Sequence, residues 1–107
     1  MRSSERLDRG ETDLLIAPDF VTSSAHPTER LFDDDFSCIA WVGNKKVGKS
    51  MSIDKFFSLA HVATEYAGGA LLSIEDRVFQ KEGRDRRREI SVPHFTLIPS
   101  FVIGTER

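Results

Sequence analysis

Residues 41–54 read WVGNKKVGKSMSID, and within them Gly43 to Ser50 spell G-N-K-K-V-G-K-S. That string matches the phosphate-binding loop pattern G-x-x-x-x-G-K-[ST], so its reading decides between a nucleotide-binding fold and another α/β arrangement. A working phosphate loop joins a buried strand to a helix that starts at the Gly-Lys-Ser, so that backbone N–H groups face the phosphates. The strand half is expected here, because Phe36 to Val42, centred on Cys38, Ile39 and Trp41, is apolar. The helix half is short: periodicity begins only after Ser52, where Ile53, Phe56 and Phe57 share a face and Asp54 sits in the first turn. No later apolar run ends in an aspartate that would hold magnesium, since Asp76 and Asp85 fall in polar helix or turn context. The stretch therefore reads as a lysine-rich surface loop. A small nucleotide-binding protein using Gly43–Ser50, with Lys49 and Ser50 on the phosphates, stands as the second reading.

Outward from this loop, the pattern alternates strands and helices. Residues 4–9 read as a helix end with Gly10 in the left-handed cap position. Asp13 to Ala17 is a compact apolar run stopped by Pro18 and reads as a buried strand. Residues 18–30 form a connector rich in Pro, Ser, Thr and charge. His61 to Glu65 alternates as a strand broken by Gly68-Gly69. Ser73-Ile74-Glu75-Asp76 is a capping box opening a helix with Ile74, Val78 and Phe79 inward and Gly83 at its end. Arg88 to Val92 is a strand ended by Pro93. A final helix follows with Thr96 as N-cap, which places Pro99 in the first turn where its missing N–H costs nothing. The class is α/β.

Length and charge narrow the function. A chain of 107 residues holds one small domain or part of a larger one. Seventeen acidic against fifteen basic side chains give a net charge of −2, with no basic stripe of the kind nucleic acid attracts. Cys38 is the single cysteine, which excludes an internal disulfide and a thiolate metal site and reads as a reduced core thiol. The amino terminus has no apolar signal segment, and the longest apolar run is far too short for a bilayer. A cytoplasmic protein without membrane contact is expected.

Chemistry is not indicated. Asp33-Asp34-Asp35 lacks calcium-loop spacing and reads as a solvated turn. Arg84 to Arg88 reads as surface charge beyond a helix C-terminus. His26, His61 and His94 belong to no nucleophile, metal or paired-carboxylate pattern, so no catalytic residue, metal site or cofactor is expected.

The order of signals resembles a known family. Leu7-Asp8-Arg9-Gly10-Glu11-Thr12-Asp13-Leu14-Leu15-Ile16 is similar to the L-x-x-G-x-x-D-L-x-I passage of LysR-type transcriptional regulators. The rest resembles their nodulation-regulator branch: His26-Pro27, Leu31-Phe32-Asp33, Cys38 with Trp41, Gly43-Asn44, Phe57 to Val62, Arg87-Arg88-Glu89, Phe95 to Pro99, and Gly104-Thr105. The resemblance implies a periplasmic-binding-protein-like (type II) effector domain, truncated and mostly subdomain II. Residues 1–17 would end subdomain I, 18–30 would form the hinge, and 31–107 would belong to subdomain II. It also implies a small aromatic effector such as a flavonoid or hydroxybenzoate-like acid, and a homodimer. DNA would be bound only through a winged helix-turn-helix that these residues lack, and Gly43–Ser50 would be a variable surface loop.

Ligands in open α/β sheets bind beyond the carboxyl ends of strands. That rule selects Thr64 and Tyr66 after one strand and His94, Phe95 and Thr96 after another, with backbone N–H groups beyond Thr96 available to an anion. Phe20 in the connector would wall an aromatic ligand. His61, by resemblance, matches an effector-facing position.

Overall fold

A computed structural model of the chain describes residues 3–19, 24–69 and 72–107. They fall into two units, Met1–Asp34 and Asp35–Arg107. In the first, helix α1 (Ser3–Asp8) ends as expected: Gly10 takes φ 67°, and Glu11 N–H reaches back to the Arg6 carbonyl at 2.9 Å. His26 is half-buried and held by Asp8 of that helix. The expected strand at Asp13–Ala17 does not form. Leu14 and Ile16 are 76% and 70% exposed, and this unit offers no partner ladder among the described residues.

The second unit is built on one βαβ crossover. Strand β1 (Ala60–Thr64) and strand β2 (Arg87–Val92) are parallel neighbours, and helix α3 (Ile74–Lys81) connects them. Parallel strands need such a crossover, because a tight hairpin can only reverse the chain. The sequence sets the helix limits. Ser73 Oγ accepts the Asp76 N–H at 3.2 Å and donates to the Asp76 carboxylate at 3.0 Å, while Gly83, at φ 70°, stops the last turn. The register runs from Ala60 opposite Arg87 to Thr64 opposite Val92, with an irregularity between His61 and Val62 that leaves Glu89 as the extra residue.

Side-chain alternation divides β1 between two environments. Val62 packs with Val92 and with Val102 of helix α4 (Ile98–Val102), flanked by Ile90 and Ile98. His61, one residue earlier, meets Phe56 of helix α2 (Ile53–Ser58), whose N-cap is Ser52 as expected. Phe56 and Phe57 in turn meet Phe79 of α3 at ring separations of 5.4 and 5.1 Å. Val78, expected to face inward, is instead 49% exposed, so Phe79 is the residue that turns toward α2.

Two further expectations are corrected. Phe36–Val42 is irregular rather than a strand, having no ladder partner among the described residues, and Cys38 within it is exposed rather than a core thiol. Neighbouring bulk still desolvates that thiol enough to raise its pKa, with Arg86 pulling the other way. Thr96 is not an N-cap: it lies inside a 3-10 turn, Phe95–Leu97, and α4 begins after Leu97 with Pro99 in its first turn.

Candidate functional site

Because β1 and β2 are parallel, the chain leaves both at one edge of the sheet, and Glu65 N–H extends the pairing to the Val92 carbonyl at 2.9 Å. That edge carries Thr64 and Tyr66 from β1 and its exit, and His94, Phe95 and Thr96 from the exit of β2. Thr64 is 1% exposed, and its Oγ1 has no hydrogen-bond partner among the described residues. A buried hydroxyl without a partner is costly, on the order of 1–3 kcal/mol. Tyr66 is half-buried; His94, Phe95 and Thr96 are exposed, with the Phe95 ring 6.3 Å from that of Phe36.

The backbone N–H groups beyond Thr96 do not point to an anion. Leu97 N–H already bonds the His94 carbonyl, and Ile98 N–H that of Phe95, because the 3-10 turn closes on itself. His61 stands apart from the group, three residues back and on the other face of β1. Its Nε2 donates to the Phe56 carbonyl oxygen at 2.7 Å, and its ring lies 4.3 Å from the Phe56 ring. Burial pushes its pKa below the ordinary 6.5, opposed by the Phe56 carbonyl and assisted by Arg86. Phe20 lies outside the described residues.

Sequence reading missed one cluster. Arg86, read as surface charge, is only 9% exposed and sits immediately before β2, against the first turn of α3. Its guanidinium bonds Glu75 Oε1 at 2.9 Å and Ser73 Oγ at 3.4 Å, and lies 5.8 Å from the Phe79 ring centre. Its Nε is 2.6 Å from Asp76 Oδ1, an ion contact not aligned as a hydrogen bond. Asp76, read as a polar helix residue, is 2% exposed. The available signal was the capping box itself: two acids in a first turn attract a cation, and Arg86 is the one brought there by the crossover.

The phosphate-loop stretch is a folded surface loop. No strand leads into it, and the following helix starts at Ile53, three residues beyond Ser50, and is six residues long. Gly43 serves the close approach of Trp41: a Cβ there would lie 2.5 Å from the indole ring. Asn44 is buried, with Oδ1 accepting Lys46 N–H and Nδ2 donating to the Arg107 carbonyl, and Lys46 pairs with Glu106. Lys49 and Ser50 remain exposed. The nucleotide reading is not supported.

Comparison with known proteins finds named relatives. Nodulation protein D 1 of Sinorhizobium fredii is 42% identical over 103 residues, which is 96% of this chain and 32% of the relative. Nodulation protein D 1 of Bradyrhizobium japonicum is 41% identical over the same shares, and that of Rhizobium meliloti is 41% identical over 96% of this chain and 33% of its own length. No family model and no solved structure matches the chain. Proteins of this name are LysR-type transcriptional regulators, and the chain is similar to them over nearly its whole length. The chain spans about a third of the length of these relatives.

Proposed function

We propose that the chain supplies effector-binding structure to a cytoplasmic LysR-type regulator, as part of a domain resembling the periplasmic binding proteins. Residues 1–17 then end subdomain I, 18–30 form the hinge and 31–107 belong to subdomain II. The observation that carries this reading is identity above 40% to Nodulation protein D across nearly the whole chain. The parallel βαβ unit supports it, because such units place ligands beyond the carboxyl edge of the sheet, where Thr64 holds an unpartnered buried hydroxyl. The ligand is a small aromatic acid or phenol, such as a hydroxybenzoate or flavonoid. Thr64 and Tyr66 hydrogen-bond its oxygens, His94 and Thr96 flank them, and Phe95 contacts the ring. His61 contributes from the layer behind, fixing α2 against β1. In the full-length regulator, ligand binding shifts the orientation of dimer partners, and DNA is contacted by a winged helix-turn-helix outside these residues.

Titration of the chain with a hydroxybenzoate and with a flavonoid, followed by its melting temperature, tests this. One of the two raises the midpoint, and Thr64→Val, which removes the hydroxyl while keeping the volume, abolishes the rise. A rise that persists undiminished in Thr64→Val overturns the assignment of this edge, and no rise with either ligand overturns the ligand class.

A further inference from the structure

At the opposite edge of the sheet, where β1 and β2 begin, a groove of about 380 Å³ is lined by Lys46, Leu59, Ala60, Arg87, Glu89 and the last residues, Gly104–Arg107. We infer that this groove is a binding site for a small oxyanion, a phosphate or a compact carboxylate, centred on Arg87. This inference does not depend on the effector reading above, because the groove and the effector edge lie at opposite ends of the two strands.

The hydrogen-bonding inventory of the lining carries the inference. Both acidic groups are already paired: Glu106 with Lys46 at 2.7 Å, and Glu89 with Arg107 Nε at 2.6 Å. The Thr105 hydroxyl donates to the Val102 carbonyl and accepts Arg107 N–H, so it is used on both sides. The Ser58 hydroxyl donates to the Lys55 carbonyl. The basic groups keep open donor capacity. An ammonium has three donors and a guanidinium five, so Lys46 and Arg107 keep most of theirs. Arg87 takes part in no ion pair among the described residues. Each carboxylate engages one oxygen in these pairs, but three cations outnumber the two acids, and that excess of positive charge favours a negative ligand. The planar fork of a guanidinium matches two oxygens of a carboxylate or phosphate. The volume lies at the small end of ligand sites, and the apolar lining is limited to the buried first residues, Leu59 and Ala60. The ligand is therefore compact and mostly polar. Lys49 and Ser50 take no part, so the site differs in residues and place from a phosphate loop.

The test is amide chemical-shift titration of the ¹⁵N-labelled chain with inorganic phosphate and, separately, succinate, each against sodium chloride at equal ionic strength. The expected result is a saturable shift at Leu59, Ala60, Arg87 and Gly104–Arg107 with one of the two anions and none with chloride. The better binder identifies the ligand as a phosphate or a carboxylate. Arg87 is exposed, so Arg87→Gln keeps the folded spectrum and weakens binding about fivefold, the scale of an exposed ion pair. Arg87→Lys, which keeps the charge and loses the fork, falls between the two. Shifts that grow linearly as with chloride, that centre on Thr64 and His94, or that are unchanged in Arg87→Gln overturn the site.

Discussion

Val62 is 7% exposed and Val42 is 99% exposed, although both lie in short apolar runs of the second unit. The run around Val62 has a parallel partner in β2, α4 against one face and the aromatic rings of α2 and α3 behind the other. The run around Val42 has Phe36 against Phe95 and Trp41 folded back on Gly43, and no ladder. Composition is similar in the two; what differs is the presence of a crossover that delivers a partner strand in register. Burial in this chain follows from pairing, because an apolar strand without a ladder must leave its backbone N–H and C=O groups to water.

The strongest way to break the buried region is through its charges. Arg86→Met leaves Asp76 and Glu75 without their shared cation beneath α3. Removing one partner of a buried ion cluster costs about 3–5 kcal/mol, and urea denaturation of the variant should show a loss of that size. A change under 1 kcal/mol would mean that solvent reaches Asp76 despite its 2% exposure.

The second test compares the two runs directly. Val92→Ala removes buried methyl groups from the Val62–Val92–Val102 cluster and should cost about 2 kcal/mol, transfer and cavity contributions together. Val42→Ala removes the same atoms from water-exposed surface and should stay within about 0.5 kcal/mol. Equal effects in the same denaturation experiment would show that residues 36–42 are buried in solution and that the contrast is wrong.

The same contrast explains what the sequence made legible. Caps and crossover were readable because their causes are local: Ser52 and Ser73 take the N–H groups three residues on, and Gly83 ends α3 with a positive φ. The strands read at 61–65 and 88–92 form within one residue of those bounds, at 60–64 and 87–92, and were readable because each lies beside a helix signal. Asp13–Ala17 and Phe36–Val42 were misread because strand pattern reports compatibility with a sheet and says nothing about whether a partner arrives. Arg86 was misread for the opposite reason. Its run of arginines looks solvated, and only the crossover shows that this one meets Ser73, Glu75 and Asp76. At the carboxyl edge, topology located Thr64, Tyr66 and His94–Thr96 together, whereas the free N–H groups expected beyond Thr96 disappeared once Phe95–Leu97 closed as a 3-10 turn. His61 was placed on the right strand, but the alternation of faces turns it toward Phe56.

The smallest expected effect concerns that histidine and is read in pH. Burial holds the native His61 pKa below 6.5, with Arg86 adding to the depression and the Phe56 carbonyl and Asp76 opposing it. As pH falls through 6.5 the unfolded chain takes up a proton first, so the unfolded state is favoured in that interval. The contribution of His61 to stability is therefore complete above 6.5 and declines as pH falls toward its native pKa, below which no more is lost from this group. Urea midpoints measured at intervals between pH 5 and 7.5 should fall on the acid side more steeply for the natural chain than for His61→Gln. The two proteins differ only at this side chain, so the difference between the two curves isolates His61. Identical slopes would show that the ring is solvated in the native chain, and the contact between β1 and α2 would then be looser than the 2.7 Å bond to Phe56 requires.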